Sequence, residues 1–260
     1  MTTSPTRRRL LQGAGVLTLV VAGGAVWRAH DRGVFAEPSG AAYDPWEMWN
    51  APEYEGTPLA LVAAGILASN PHNTQPWVFR VSDTEIEVLA DTSRHLGSFD
   101  PYLREMHVGL GCAVENMALA APANGFTVEV ESAPGTLTAI ERGGLVRAAA
   151  LRLSPSGAAA DPLYEAIPKR HTNRYPYDLA RGFPEEMLRG FAAMPADENV
   201  ALSLLTEGKG YEALGRAIIA ATDEIAADHA QNEERHAWYR VAPRSYNHVR
   251  NHENLLYCLR

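Results

Sequence analysis

Apolar positions change rhythm several times along the chain, and each change marks an element. Residues 58–68, Pro-Leu-Ala-Leu-Val-Ala-Ala-Gly-Ile-Leu-Ala, are apolar on most faces and predict a short buried helix with Pro58 in its first turn. Pro71 biases Asn70 away from helical angles and stops that helix. Residues 77–81 and 85–90 flank Ser82-Asp83-Thr84 and predict a hairpin. Asp100 followed by Pro101 supplies an N-cap and a first-turn proline for a helix running to about Ala121, closed by Pro122 and Gly125. Strand-like runs at 126–130 and 145–153 come next, separated by glycine-rich turns. A second helix start stands at Asp161-Pro162, with further helices predicted over 184–193, 210–227 and 228–239 and a strand over 202–205. Residues 37–56, rich in Pro, Trp and Tyr without a period, read as an extended lead-in. Alternating helices and strands with hairpins predict an α+β fold, a mixed sheet flanked by helices. The small, flexible run 154–160 is the best boundary between a unit at 37–160 and one at 161–260.

Composition narrows the class. The 260 residues are 46% hydrophobic and 21% charged, the balance of a folded globular protein. A net charge of -8 argues against a nucleic-acid binder, which needs clustered Lys and Arg. The two cysteines, Cys112 and Cys258, are far apart and in no metal-ligand or redox spacing.

The first 36 residues read as a leader outside the fold. Arg7, Arg8 and Arg9 precede Leu10-Leu11 and a glycine-broken apolar stretch from Gly13 to Trp27. This resembles a twin-arginine signal, with cleavage expected before Glu37 after Val34-Phe35-Ala36. The other reading is a retained N-terminal anchor, although the stretch is short and glycine-rich for a spanning helix. A signal of this type implies export through the twin-arginine machinery to the periplasm or cell envelope. It also raises the expectation of a cofactor, since its passengers cross already folded.

Three segments carry candidate chemistry. In Ser69-Asn70-Pro71-His72-Asn73-Thr74-Gln75-Pro76-Trp77, two prolines stiffen a loop that presents amide donors and acceptors side by side. Such a loop suits the polar edge of a planar heterocycle, or serves as a plain polar turn between helix and strand. In Gly109-Leu110-Gly111-Cys112-Ala113-Val114-Glu115-Asn116-Met117, small residues admit a ligand ring, or another element, close to a helix backbone. In Arg170-His171-Thr172-Asn173-Arg174, two arginines four apart with a hydroxyl between them form either a phosphate pocket or an exposed basic turn.

The order of residues in the first segment resembles the flavin-contacting loop of the nitroreductase superfamily, Pro-Ser-x-x-Asn-x-Gln-Pro-Trp. Asn73, Gln75, Pro76 and Trp77 fall on it, while Ser69 and Asn70 depart from its Pro and Ser. The glycine-rich helix and the Arg170–Arg174 run are similar to further family segments, Thr172 standing for the Ser of its phosphate motif. The resemblance covers about Leu59 to Tyr239. It implies FMN as cofactor, with Asn70, Asn73, Gln75 and Trp77 toward the ring or ribityl chain and Arg170, Thr172 and Arg174 toward the phosphate. The implied activity is transfer of hydride or electrons from reduced flavin to a small electron-poor acceptor, a nitroaromatic or quinone, with NAD(P)H as donor. No side-chain nucleophile or base is required.

The phosphate motif comes second here, where an ordinary nitroreductase has it first. That order resembles the twin-arginine, Acg-like branch, in which two nitroreductase-like halves share one chain. The resemblance then implies pseudo-repeated halves at 37–160 and 161–260, the second truncated, since the chain stops in the unpatterned run around Asn251-His252-Glu253-Asn254. In that branch a lid can cover the flavin, so sequestration of FMN without turnover is the alternative function. Histidine pairs His229/His236 and His248/His252 offer a weaker metal-binding alternative, with no third ligand fixed by spacing.

Overall fold

The computed structural model describes residues 23–24, 26–28, 30, 44–49, 51–133, 143–159, 161–173, 176–178, 180–194 and 200–238. The leader arginines, the expected cleavage position, Arg174, Cys258, His248 and His252 lie outside the described residues. No described helix is long and apolar enough to cross a membrane.

The helices are α1 (Asp44–Met48), α2 (Pro58–Gly65), α3 (Arg104–Ala123), α4 (Glu185–Ala192), α5 (Gly208–Ala227) and α6 (His229–His236). The strands are β1 (Trp77–Val81), β2 (Glu85–Asp91), β3 (Phe126–Ser132) and β4 (Leu145–Pro155). They form one four-stranded sheet in the order β1-β2-β4-β3. The fold is α+β, as the alternation of periods predicts. The sheet expected to be mixed is antiparallel in all its described pairs. Strands β2 and β3 run in the same direction and are joined across β4 by α3, but they are not neighbours, so every hydrogen-bonded pair is antiparallel.

One face of the sheet is apolar and covered; the other is charged. Trp77 and Phe79 of β1, Ile86 and Val88 of β2, and Leu151 and Leu153 of β4 are buried against α2 and α3. On the open face a cross-strand ladder runs from Arg80 to Glu87 (2.8 Å), from Glu87 to Arg147 (3.6 Å) and from Arg147 to Glu131 (3.5 Å). Arg152 closes on the same Glu131 at 3.0 Å. A half-solvated antiparallel sheet is expected to divide its faces in this way.

Helix α2 is buried on all sides from Ala60 to Gly65, which explains its lack of a polar stripe. Helix α3 starts later than the Asp100-Pro101 pair predicts. Leu103 takes a left-handed conformation (φ 53°) and is buried, so the chain turns once more before the helix begins. Asp100 still serves the helix, because its carboxylate accepts from the Met106 N–H at 3.1 Å.

Three further expectations are corrected. The lead-in is not extended throughout, for it contains α1 and the hydrogen-bonded turns Ala51–Tyr54 and Tyr54–Thr57. Asp161-Pro162 opens a turn and the 3-10 segment Tyr164–Lys169 in place of an α-helix; Pro168 inside it has no N–H to extend the ladder. Residues 202–205 form no strand: Leu202, Leu204 and Leu205 are exposed, and no sheet edge among the described residues receives them. Residues 161–170 pack onto the preceding unit through buried Ile167 and through Tyr164, whose ring lies 4.6 Å from that of Trp49.

The glycines of α3 are not equivalent. A Cβ at Gly109 would meet Asn70 Cβ and Pro71 Cδ at 3.1 Å, whereas at Gly111 it would meet nothing. Gly109→Ala should therefore cost about 1–3 kcal/mol through overpacking. Gly111→Ala should be neutral or stabilise by up to about 1 kcal/mol through helix propensity. Urea unfolding of the two variants checks this, and equal shifts would refute the contact.

Candidate functional site

The loop 69–76 joins α2 to β1 and is the most constrained backbone in the described chain. Pro71–Asn73 forms a 3-10 turn. His72, Asn73 and Gln75 all have positive φ, at 49°, 53° and 48°. For His72 and Gln75 this costs about 1–2 kcal/mol each, and less for Asn73, whose short amide tolerates the conformation, so the surroundings must hold the loop in place. An observed cluster of such residues is a reason to look for function there.

Three contacts hold it. Asn70 clasps the loop from within, accepting from the Gln75 N–H at 2.8 Å and donating to the Ala68 carbonyl at 3.2 Å. Buried Arg94, placed by the 3-10 turn Thr92–Arg94 after β2, donates from Nε to the Thr74 carbonyl. Gly109 of α3 lets the Asn70–Pro71 backbone lie directly on the helix. The His72 ring also meets the edge of Phe99 at 5.2 Å.

These contacts sort the sequence-predicted residues. Both polar ends of Asn70 are committed to its own loop. Asn73 is exposed, Gln75 half-buried, and Trp77 is core, only 2% exposed beside Phe79. Thr74 is 1% exposed and its hydroxyl has no hydrogen-bond partner among the described residues, an unsatisfied group of the kind that calls for explanation. Arg170 is exposed but returns to the loop's base, its Nη2 donating to the Leu67 carbonyl at 3.1 Å. His171 stacks on Trp46 with ring centroids 6.1 Å apart, and Thr172 is exposed. The structure thus brings Arg170 to the end of the helix that leads into the Asn73–Gln75 loop. Asn116 of the glycine-rich helix donates to the Ala64 carbonyl at 3.0 Å, which ties α3 to α2.

Sequence reasoning missed Arg94. The signal was weak, a single arginine after a strand with no motif around it. It also missed the docking of α6, where Glu234 accepts from the Ser98 N–H and hydroxyl, and Trp238 lies 5.7 Å from the Arg94 guanidinium. Among the described residues no group of three His, Cys, Asp or Glu side chains converges as a metal site.

The fold and loop define an α+β protein with a rigid polar loop set between a buried helix and the first strand of an antiparallel sheet. No family model matches the chain. Over 121 residues it is 32% identical to the Mycobacterium tuberculosis protein named "Putative NAD(P)H nitroreductase Rv3131", and equally to its counterpart in a second strain, "Putative NAD(P)H nitroreductase MT3217". The match covers 46% of this chain and 34% of each relative, so the chain spans about a third of the length of the curated relatives it matches.

The grip on the loop can be measured through its stability. Arg94→Met removes the donor to the Thr74 carbonyl and should cost about 1–3 kcal/mol, the penalty for an unpaired buried group. Arg94→Lys should recover only part of it, and a Met variant unfolding at the parent urea midpoint would show that the loop stands without Arg94.

Helix α6, docked beside the loop, should respond to acid. The Gln231 backbone N–H, donating at 3.0 Å, holds the Asp228 carboxyl below its ordinary range. A lowered folded value means that the contribution is present above the ordinary pKa, about 4, and is lost as pH falls through the folded value. Amide protection factors across 229–236, which correct exchange for its intrinsic pH dependence, should therefore fall below about pH 4, and less so in Asp228→Asn.

Proposed function

We propose that the chain is an FMN-binding oxidoreductase of nitroreductase type, within the nitroreductase superfamily, taking electrons from NAD(P)H and passing them to a small electron-poor acceptor. The observation that supports this best is the strained, clasped loop carrying Asn73 and Gln75, in a chain similar to proteins named NAD(P)H nitroreductases. A loop held in one conformation before any ligand arrives presents its amides at little further entropic cost.

The residues present fit such a cofactor. Asn73 and Gln75 supply amide donors and acceptors, and Thr74 leaves a buried hydroxyl unsatisfied beside them. Arg170 offers an exposed guanidinium at the loop's base, with donors beyond the one given to Leu67. Asn73 and Gln75 would hold the ring or ribityl end, and Arg170, Thr172 and Arg174 the phosphate. Asn70 and Arg94 would position the loop. FMN, when bound, supplies the electron transfer itself, so the protein's part is orientation, exclusion of water and hydrogen bonding. Trp77, behind the loop, anchors it to the sheet core. The division into two nitroreductase-like halves and export by the twin-arginine route belong to the same proposal.

The test is uptake of FMN by the purified chain, read by visible absorbance, beside Arg170→Ala and the Arg170→Ala/Arg174→Ala pair. The parent should bind stoichiometrically. Arg170→Ala should weaken binding by about 1.5–3 kcal/mol, the range for hydrogen bonds to charged groups. A folded parent that takes up no FMN would overturn the reading. Uptake without NAD(P)H-driven reduction of a quinone or nitroaromatic would assign the chain to FMN sequestration.

A further inference from the structure

A cleft of about 470 Å³ opens at the far end of α3 from the loop. Gly109, against the loop, and Asn124, which caps the helix, are 124 − 109 = 15 residues apart, or about 22 Å at the α-helical rise. The cleft shares no residue with the loop, so it is a second place, apart from the one proposed for flavin.

The cleft is built by hydrogen bonds. On one side the turn carrying Tyr54 and Glu55 is tied to the helix end by the Gly56 N–H donating to Asn124 Oδ1 at 3.3 Å. On the other, the Ala159 N–H donates to the Pro122 carbonyl at 2.9 Å and the Ser156 N–H to the Gly125 carbonyl at 2.8 Å. Trp49 and Tyr164, rings 4.6 Å apart, form an aromatic corner, and Tyr54 adds a third ring. Alanines, Ala60 and Ala123 among them, leave the volume open.

The charge of this lining is one-sided. Glu55 and Glu165 both line the cleft, and among the described residues no Lys, Arg or His does. The carbonyl end of the 20-residue helix α3, which carries no basic residue in its last turn, adds its partial negative charge at the same place. Aromatic faces attract cations through their quadrupoles, and an aromatic cage with nearby carboxylates selects an ammonium group with an apolar body. Phosphates and carboxylates are repelled. The size is that of a small-molecule site.

We propose that this cleft binds a small organic ammonium ion, its charged head against the Trp49–Tyr164–Tyr54 rings and between Glu55 and Glu165. The test is calorimetric titration of the full chain with choline and with its uncharged isostere 3,3-dimethyl-1-butanol. Choline should bind saturably and at least tenfold tighter than the isostere, and more weakly as salt rises. Glu55→Gln/Glu165→Gln, at exposed positions that leave the fold intact by circular dichroism, should weaken choline about tenfold and leave FMN uptake unchanged. Tyr164→Leu should weaken it as well. No saturable binding, equal binding of the isostere, or a double variant that binds like the parent would each overturn the proposal.

Discussion

Helices α2 and α3 come together where each has the least side chain, and the other features hang on that approach. A Cβ at Gly65 would stand 3.0 Å from Met117 Cγ and 3.5 Å from the Ala113 carbonyl, and Gly109 repeats the arrangement against Asn70 and Pro71. Asn116 converts the closeness into a bond with the Ala64 carbonyl. Wider spacing would open a cavity in a core whose Leu61, Ala64, Ala113 and Met117 are essentially fully buried. Each large side chain among them contributes about 1.5–3 kcal/mol by leaving water. The same approach fixes where α2 ends, and hence where the strained loop must begin.

The long helix gives the molecule two ends of opposite character. Near its N-terminal half lie the loop, Arg94 and Arg170, a setting suited to anionic or polar ligands. At its C-terminal end lie Glu55, Glu165 and three aromatic rings. The helix dipole runs in the sense that reinforces both.

Much of this was legible in the sequence, and most of the exceptions share a cause. Two runs flanking a polar tripeptide located β1 and β2 almost to the residue, because hairpin register is set locally. The unbroken apolar run located α2. Asn73, Gln75 and Trp77 stood out through their order in one short segment. Apart from the helix start at Asp161, undone locally by Pro168, and the short turns of the lead-in, what failed depended on partners distant in the chain. Residues 202–205 looked like a strand but join neither edge of the described sheet, and Asp100 caps its helix from outside because Leu103 is drawn into the core. Arg94 acquires its role only when β2 lays it beside a carbonyl twenty residues earlier. Gly109 and Gly111 look alike in sequence, yet only the fold tells which faces a neighbour.

Helix α5 leaves none of its 20 residues buried, with Leu214, Ile218 and Ile219 all exposed, and α6 is joined to the sheet unit through Glu234 and Trp238. A helix that buries so little draws scant stability from its surroundings and depends on its own marginal propensity. The cooperative melting of the sheet core and the unwinding of this segment are then separate events. The carboxy-terminal helices would open many times for each global unfolding, exposing their backbone to proteases while the four strands stay shut.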